Sequence, residues 1–269
     1  MSTDAAYFVR DDADRFLPTA WANSHWGADH LGGPAVVALA ARVLEDRYGD
    51  PDLLPARLTV DLLRAARTAP TSVAARPVRD GRRIRTGECD LLQDGRLIAR
   101  ATLVQYRTSE APPGRLWRTA PELTVPAGLD DRDWSRLGSD EAGWAPAPGD
   151  HQNVSRKQFL HRGFPLVAGE DNSPFVRAAM VAEATSLVTN LGTHGIGYIN
   201  GDLSVGLSRL PQGEWIGVRA ESHWSHDGIA VGSATLFDDL GPFGTGMVTA
   251  LANPAAQIDF TDVSFAARR

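Results

Sequence analysis

The sequence predicts an α+β protein built twice over, each copy a long buried helix covered by an antiparallel sheet. Three observations carry this. First, "LTVDLLRAARTAP" from Leu58 is written again as "LSVGLSRLPQG" from Leu203. Leu58, Thr59, Val60, Leu62 and Arg64 are answered by Leu203, Ser204, Val205, Leu207 and Arg209, all at one step (209 − 64 = 145). The step persists through Val73 and Val218, Gly87 and Gly232, and Leu91-Leu92 and Leu236-Phe237. A register held over about forty residues marks an internal duplication, with a period far beyond that of solenoid repeats. Second, each copy carries one long apolar run of helical character. Third, four strand-like runs follow each helix, punctuated by turn signals.

In chain order, the first copy spans residues 1–108. "GGPAVVALAARVLEDRYG" (32–49) is a helix, with Pro34 at its start, where a missing N–H costs nothing, and Gly49 just past its end. Apolar residues cover nearly every face, so it is a buried helix. Strands follow at 57–66, 71–79, 83–93 and 96–107, and "RDGR" and "QDGR" carry the Asp-Gly signal of tight hairpins. Residues 109–149, rich in proline, glycine and acid, read as a connection across the surface pinned by Trp117, Trp134 and Trp144. The second copy spans 150–269. "NVSRKQFLHRGF" reads as an edge strand, and residues 173–192 as one helix opened by Ser173-Pro174 and closed at Gly192. Strands are expected near 198–209, 214–223, 228–238 and 243–252. "LLQDG" (91–95) meets "LFDDLG" (236–241) with one residue inserted before the glycine. The two copies can join through edge strands into one continuous sheet, leaving fewer exposed edges.

Composition narrows the function. A chain of 269 residues, 43% hydrophobic, can bury one substantial core or two. A net charge of −6 supplies no basic stripe for nucleic acid. Lys157 is the sole lysine, so cationic character is almost all arginine. Cys89 is the single cysteine, which excludes an intrachain disulfide and points to a reducing compartment. The N-terminus is acidic without a signal-peptide core, and no apolar run reaches membrane-span length. The expectation is a soluble cytoplasmic protein.

At the level of motifs the chain resembles a family. "VRDGRRIRTGECDLLQDGRLIARATLV", "FVRAAMVAEATSLV", "INGDLSVGLSRLPQGEWIGVRAES" and "DGIAVGSATLFDDLGPFG" look like the acyl-CoA thioesterases of the type II, double hot-dog group. The resemblance covers all but the connection, and the duplication is itself a feature of that family. It implies a tandem double hot-dog fold and hydrolysis of a fatty acyl-CoA thioester without metal or redox cofactor. The family's usual catalytic set is an acid on the second central helix, a Thr or Ser on the next strand and a Gln on the last strand, which together hold a water. Carried over by local motif, these fall on Glu183, Asn200 and Thr249, with Val248 in place of Thr249 if the register slips by one. None of the three residue types is retained. The family often has a His-Gly-Gly-like stretch ahead of the first helix; this chain has His-Leu-Gly-Gly at His30, Gly32 and Gly33.

The residues support part of this independently. Glu183 is the sole acid between Asp171 and Asp202 and sits in an apolar helical run. A carboxylate on a buried face is costly unless paired, and an unpaired one has a raised pKa suited to a general base. The alternative is an ion pair with Arg177 or a strand arginine. Free N–H groups at a helix start, with Gly32 and Gly33 allowing close approach, suit a developing negative charge; the alternative is tight packing alone. Asp29-His30 is a weaker candidate dyad. Arg64 and Arg209, at matched strand ends, can meet CoA phosphates or form structural ion pairs. "HWSH" (223–226) has metal-ligand spacing but sits at a hairpin turn. There is no G-x-S-x-G elbow, and "GTHGIGYING" (192–201) lacks the strand and helix that dinucleotide binding needs; it reads as a flexible loop near the pocket mouth.

The expected activity is therefore hydrolysis of an acyl-CoA or related thioester, in a homodimer or larger assembly. Two alternatives stand beside it: a non-hydrolytic acyl-thioester-binding relative with hydratase or cyclase chemistry, and a purely structural duplicated domain.

Overall fold

A computed structural model describes residues 5–27, 29–117, 119, 123, 125, 126, 129, 133–145 and 148–261. The first half runs β1 (Phe8–Asp12), β2 (Arg15–Pro18), α1 (Gly33–Tyr48), β3 (Leu53–Leu62), β4 (Thr71–Asp80), β5 (Ile84–Gln93) and β6 (Arg96–Arg107). The second runs β7 (Ser135–Ser139), β8 (Lys157–His161), α2 (Pro174–Ala182), α3 (Thr185–Asn190), a short hairpin β9 (Leu191–Gly192) and β10 (Gly195–Ile196), β11 (Tyr198–Asn200), β12 (Asp202–Leu207), β13 (Ile216–His226), β14 (Ile229–Asp238) and β15 (Gly241–Ala252).

The sheet has 13 strands in the order β1-β2-β4-β5-β6-β3-β12-β15-β14-β13-β8-β7, with β11 also on β15. Its two halves mirror one another about the β3–β12 junction, as a tandem hot-dog requires. The 145-residue step fixes where the two-fold relation passes: Thr59 faces its own counterpart Ser204, flanked by Leu58–Val205 and Val60–Leu203. The strand bounds obey the same step, β5 to β14 and β6 to β15 beginning and ending 145 residues apart. The duplication is thus a property of the fold, and the copies do join through edge strands.

One detail of the repeat differs from its sequence reading. Gln93 pairs with Arg96 and Asp238 with Gly241, so both hairpins have two-residue turns and nothing is inserted. The glycine is displaced because the turns differ. Asp94 and Gly95 both take positive φ (48° and 73°), as a type I′ turn needs, whereas after β14 the positive φ (96°) falls on Gly241, the first residue of β15.

α1 is buried on nearly all faces, from Ala35 through Ala41 and at Val43 and Leu44. Its small residues, with Ala178, Ala179 and Ala182 of α2, let the two helices approach closely inside the curved sheet, and one core unites both halves. The second helix is not continuous as expected. It breaks at Glu183-Ala184, where Ala184 N–H donates to Val181 O and Ser186 N–H to Glu183 O, each spanning three residues instead of four. The β-branched residues Thr185, Val188 and Thr189 weaken α3, and the Thr189 hydroxyl bonds back to Thr185 O at 2.7 Å, which bends such helices.

Other expectations are corrected. The strand near residue 157 is flanked by β13 and β7, so β7 is the edge, and β7 arises within the stretch 109–149 read as a connection. Trp134 packs on Phe164 at 5.2 Å and Trp144 against Leu160, Trp215 and Phe237, but Trp117 is 88% exposed and anchors nothing. The glycine-rich segment 192–201 forms the β9–β10 hairpin and β11, and is clamped by reciprocal backbone bonds between Ile196 and Ile258. No helix among the described residues is long and apolar enough to cross a membrane.

Candidate active site

The helix break positions Glu183. With the helix interrupted, its side chain leaves the α2 axis and lies against the first residue of α1; a methyl group on Gly33 would overlap Glu183 Oε1 and Cδ. Only glycine leaves room there. Gly32 caps α1 with no side-chain bond, and Pro34 follows, so the helix start presents backbone to the carboxylate. Asn200, the last residue of β11, donates its amide to Glu183 Oε1 at 3.1 Å, and the Ser186 hydroxyl lies 3.5 Å from the same oxygen. Glu183 is 8% exposed. Burial pushes its carboxyl up to about 7, against the hydrogen bonds from Asn200 and Ser186, which lower it. Among the described residues no cation pairs with it. Arg177, the sequence alternative, instead donates to the carbonyls of Arg162, Gly213 and Glu214.

The structure therefore brings Glu183, Asn200, Gly32 and Gly33 together. Thr249 does not join them. Asn200 pairs across the sheet with Ala250, so both side chains lie on the helix-facing side, and Thr249, one residue on, lies on the other. Its hydroxyl and amide both donate to the Asp202 carboxylate. The last-strand residues that face the helices are Val248 and Ala250, both buried and apolar.

His30 precedes this group by two residues. Its backbone is bound by Ser24 and Gly27, and its Nδ1 lies buried without a hydrogen-bond partner. Asp29 does not form the candidate dyad with it: its carboxylate accepts from Arg67 at 3.2 Å. Arg209 is a structural cation, held by Asp238 through two bonds of 2.6 and 2.7 Å, with the Asp238 side chain fully buried. Arg64 is exposed. The duplication explains the difference, because the counterpart of Asp238 is the neutral Gln93. Both tie down the same backbone amide, Gln93 that of Arg67 (2.8 Å) and Asp238 that of Gln212 (2.7 Å), but only Asp238 can also hold an arginine. Ser186 escaped the sequence reading, although its spacing three residues after Glu183 was the available signal.

A family model described as the acyl-CoA thioesterase N-terminal domain matches residues 22–106, and one described as the C-terminal domain matches residues 108–251. Comparison with curated proteins gave no match. Among solved structures, a tesB protein of Mycobacterium avium subspecies paratuberculosis is 19% identical with a TM-score of 0.66, over 92% of this chain and 96% of that one. An acyl-CoA thioesterase II of Mycobacterium marinum is 18% identical with a TM-score of 0.64, over 91% and 95%. A hot dog fold protein of unknown function from Alicyclobacillus acidocaldarius is 16% identical with a TM-score of 0.64, over 94% and 98%. At such identities the likeness to these structures is one of fold.

Proposed function

The chain belongs to the acyl-CoA thioesterase family, and on that premise we propose that it hydrolyses acyl-CoA or a related acyl thioester with water activated by Glu183. The observation that carries this is a buried carboxylate, unpaired with any described cation, seated against a helix N-terminus and oriented by one side-chain amide. A base whose pKa is near neutrality combines a usable deprotonated fraction with real driving force for proton transfer.

In this reading Glu183 takes a proton from water as the water oxygen bonds to the thioester carbonyl carbon. The carbonyl oxygen becomes an oxyanion, which the start of α1 at Gly33 stabilises, the Gly32 N–H being taken by Ala22 O at 2.7 Å. The carbon–sulfur bond then breaks, the thiolate leaves, and the proton held by Glu183 passes to it, giving a carboxylic acid and a free thiol. Asn200 holds Oε1 so that the other carboxylate oxygen is directed to the water. The last strand contributes an apolar wall through Val248 and Ala250.

That apolar wall also favours a second reading, an acyl-thioester-binding protein that does not hydrolyse its ligand, since one polar leg of the water site is missing. Release of free thiol from a panel of acyl-CoA chain lengths separates the two. Hydrolysis is expected, and Gly33→Ala should abolish most of it by displacing Glu183 while leaving a cooperative thermal transition. Thiol release from no member of the panel would overturn hydrolysis; full activity in Gly33→Ala would overturn the geometry.

A further inference from the structure

Charge is divided unevenly between the two copies. Eight arginines fall between residues 76 and 107, whereas the matched stretch 221–252 (221 − 76 = 145) holds no arginine and no lysine. The strands keep the step here: Arg79 pairs with Thr86 as Trp224 pairs with Val231, and Ile84 with Tyr106 as Ile229 with Leu251. A general preference for arginine over lysine would act on both copies alike. The fold also accepts the same hairpin without any cation. The charge is therefore particular to the β4–β5 hairpin and its neighbour β6, in a chain of net charge −6.

The sheet gathers part of this charge on one face. A side chain on Gly87 would meet Tyr48 of α1, and the Arg85 guanidinium donates to the Tyr48 carbonyl. Arg85 and Gly87 thus face the helix, and the alternate residues Ile84 and Thr86 face outward. Their strand partners Tyr106 and Arg79 share the outer side. Arg107 is fixed to the hairpin by its N–H to Arg83 O (3.0 Å) and its Nε to Arg82 O (2.8 Å). The result is a concavity of about 360 Å³ lined by Arg79, Arg83, Arg107, Ile84 and Tyr106. Acids nearby take up some of the charge: Asp52 holds Arg107 at 2.9 Å, and Asp80 and Asp50 hold Arg85 at 3.0 and 3.3 Å. Among the described residues Arg79 and Arg83 pair with no acid. Like charges around one hollow repel, and an anion between them relieves the repulsion. A second concavity adjoins the first at Arg79 and reaches Arg47 and Tyr48, at the end of α1. Gly33, which meets Glu183, begins that helix, so the two places lie about 22 Å apart along it.

We infer that this hollow is a second ligand site, which binds a nucleoside diphosphate with its phosphates on Arg79, Arg83 and Arg107 and its base on the Tyr106 ring. Planar guanidinium groups take phosphate oxygens through paired hydrogen bonds, and three of them suit a ligand with more than one anionic group. Tyr106 is 47% exposed beside Ile84, a flat apolar surface suited to a stacked base. The same chemistry occurs in a free nucleotide and in the nucleotide end of CoA. Binding here is independent of hydrolysis at Glu183.

Isothermal titration calorimetry at low salt tests this, with Kd measured for ADP, CoA and pyrophosphate on wild type and three variants. Arg79→Gln/Arg83→Gln removes two phosphate contacts, and Tyr106→Ala removes the stacking surface. Arg96→Gln/Arg115→Gln removes the same charge from exposed positions elsewhere. All the substituted side chains are exposed, so melting temperatures should agree across the four proteins. The nucleotide should bind about ten- to a hundredfold more weakly to Arg79→Gln/Arg83→Gln and about tenfold more weakly to Tyr106→Ala. Its Kd should be unchanged in Arg96→Gln/Arg115→Gln. ADP tighter than CoA assigns a free nucleotide; CoA at equal or greater affinity, weakened by the Arg79 and Arg83 changes, assigns the nucleotide end of CoA. Four results would each overturn the assignment. They are no saturable binding of ADP or CoA at millimolar concentration, a Kd indifferent to Arg79→Gln/Arg83→Gln, an equal loss in Arg96→Gln/Arg115→Gln, and pyrophosphate bound as tightly as the nucleotide.

Discussion

Replacing Glu183 by Gln separates a strained general base from a structural carboxylate through the pH dependence of stability. The folded protein holds the Glu183 carboxyl at about 7, against an ordinary value of 4.5, chiefly through burial. A raised folded pKa means that the native state retains a proton the unfolded chain releases. The stabilisation is thus fully present below about pH 4.5 and is lost as pH rises through about 7. Over the interval of about 2.5 units the loss amounts to about 3 kcal/mol at 1.36 kcal/mol per unit. Glutamine keeps the volume and the acceptor for Asn200 but cannot ionise. Glu183→Gln should match wild type in denaturant unfolding at pH 4.5 and exceed it by about 3 kcal/mol at pH 8.5, equivalent to roughly 6–12 °C in melting temperature. Burial also holds His161 down at about 4, which costs stability as pH falls below its ordinary 6.5, but this is common to both proteins and cancels in the difference. Turnover should fall by about two to four orders of magnitude. A variant less stable than wild type at pH 8.5 would refute the reasoning, because it would mean that the Glu183 charge is compensated in the fold.

Four further substitutions probe the surroundings. Asn200→Ala removes the hydrogen bond that lowers the Glu183 pKa, so the rising limb of kcat/KM, centred near pH 7 in wild type, should move to higher pH; an unmoved midpoint would show that Asn200 does not hold the base. Thr249→Val should leave turnover within about twofold and lower stability by about 1 kcal/mol in thermal denaturation, because its hydroxyl serves Asp202 on the outer side of the sheet. Loss of most activity would return Thr249 to the site. Arg209→Met strands the fully buried Asp238 side chain and should cost roughly 3–5 kcal/mol at neutral pH, whereas Arg64→Met, on an exposed cation, should cost little by the same assay.

The fold was legible because duplication doubles every weak signal. One strand-like pentad says little, but Leu58–Arg64 and Leu203–Arg209 at one step say that two strands are equivalent, and the sheet then places them side by side. What escaped was chemistry outside the hydrophobic period. The break at Glu183 follows from local bonding of Thr185, Ser186 and Thr189, which competes with the helix without changing its apolar pattern. The partnership of Gly33 with Glu183 crosses 150 residues (183 − 33), and only the antiparallel seating of the two helices reveals it. Thr249 was misplaced relative to the site because a strand alternates faces: a register uncertain by one residue exchanges a hydroxyl for the isopropyl group of Val248.

The duplication also explains why the candidate chemistry is confined to one end of the molecule. The two-fold relation offers each position twice. In the helices the step is 141, since Tyr48 packs on Gly87 as Thr189 packs on Gly232, so the counterpart of Glu183 is Arg42 and that of Gly33 is Pro174, while on the strands that of Asn200 is Pro55. The first copy therefore has no carboxylate at the matching point of its helix, no amide donor on the matching strand and no gap to admit one. Its helix is unbroken through Arg42, consistent with a role as the rigid element whose start faces the base. The second copy carries the acid and the helix break. Neither copy holds a complete site: the carboxylate comes from one and the helix start from the other, so the β3–β12 junction that welds the sheet also keeps the two halves of the candidate site in register.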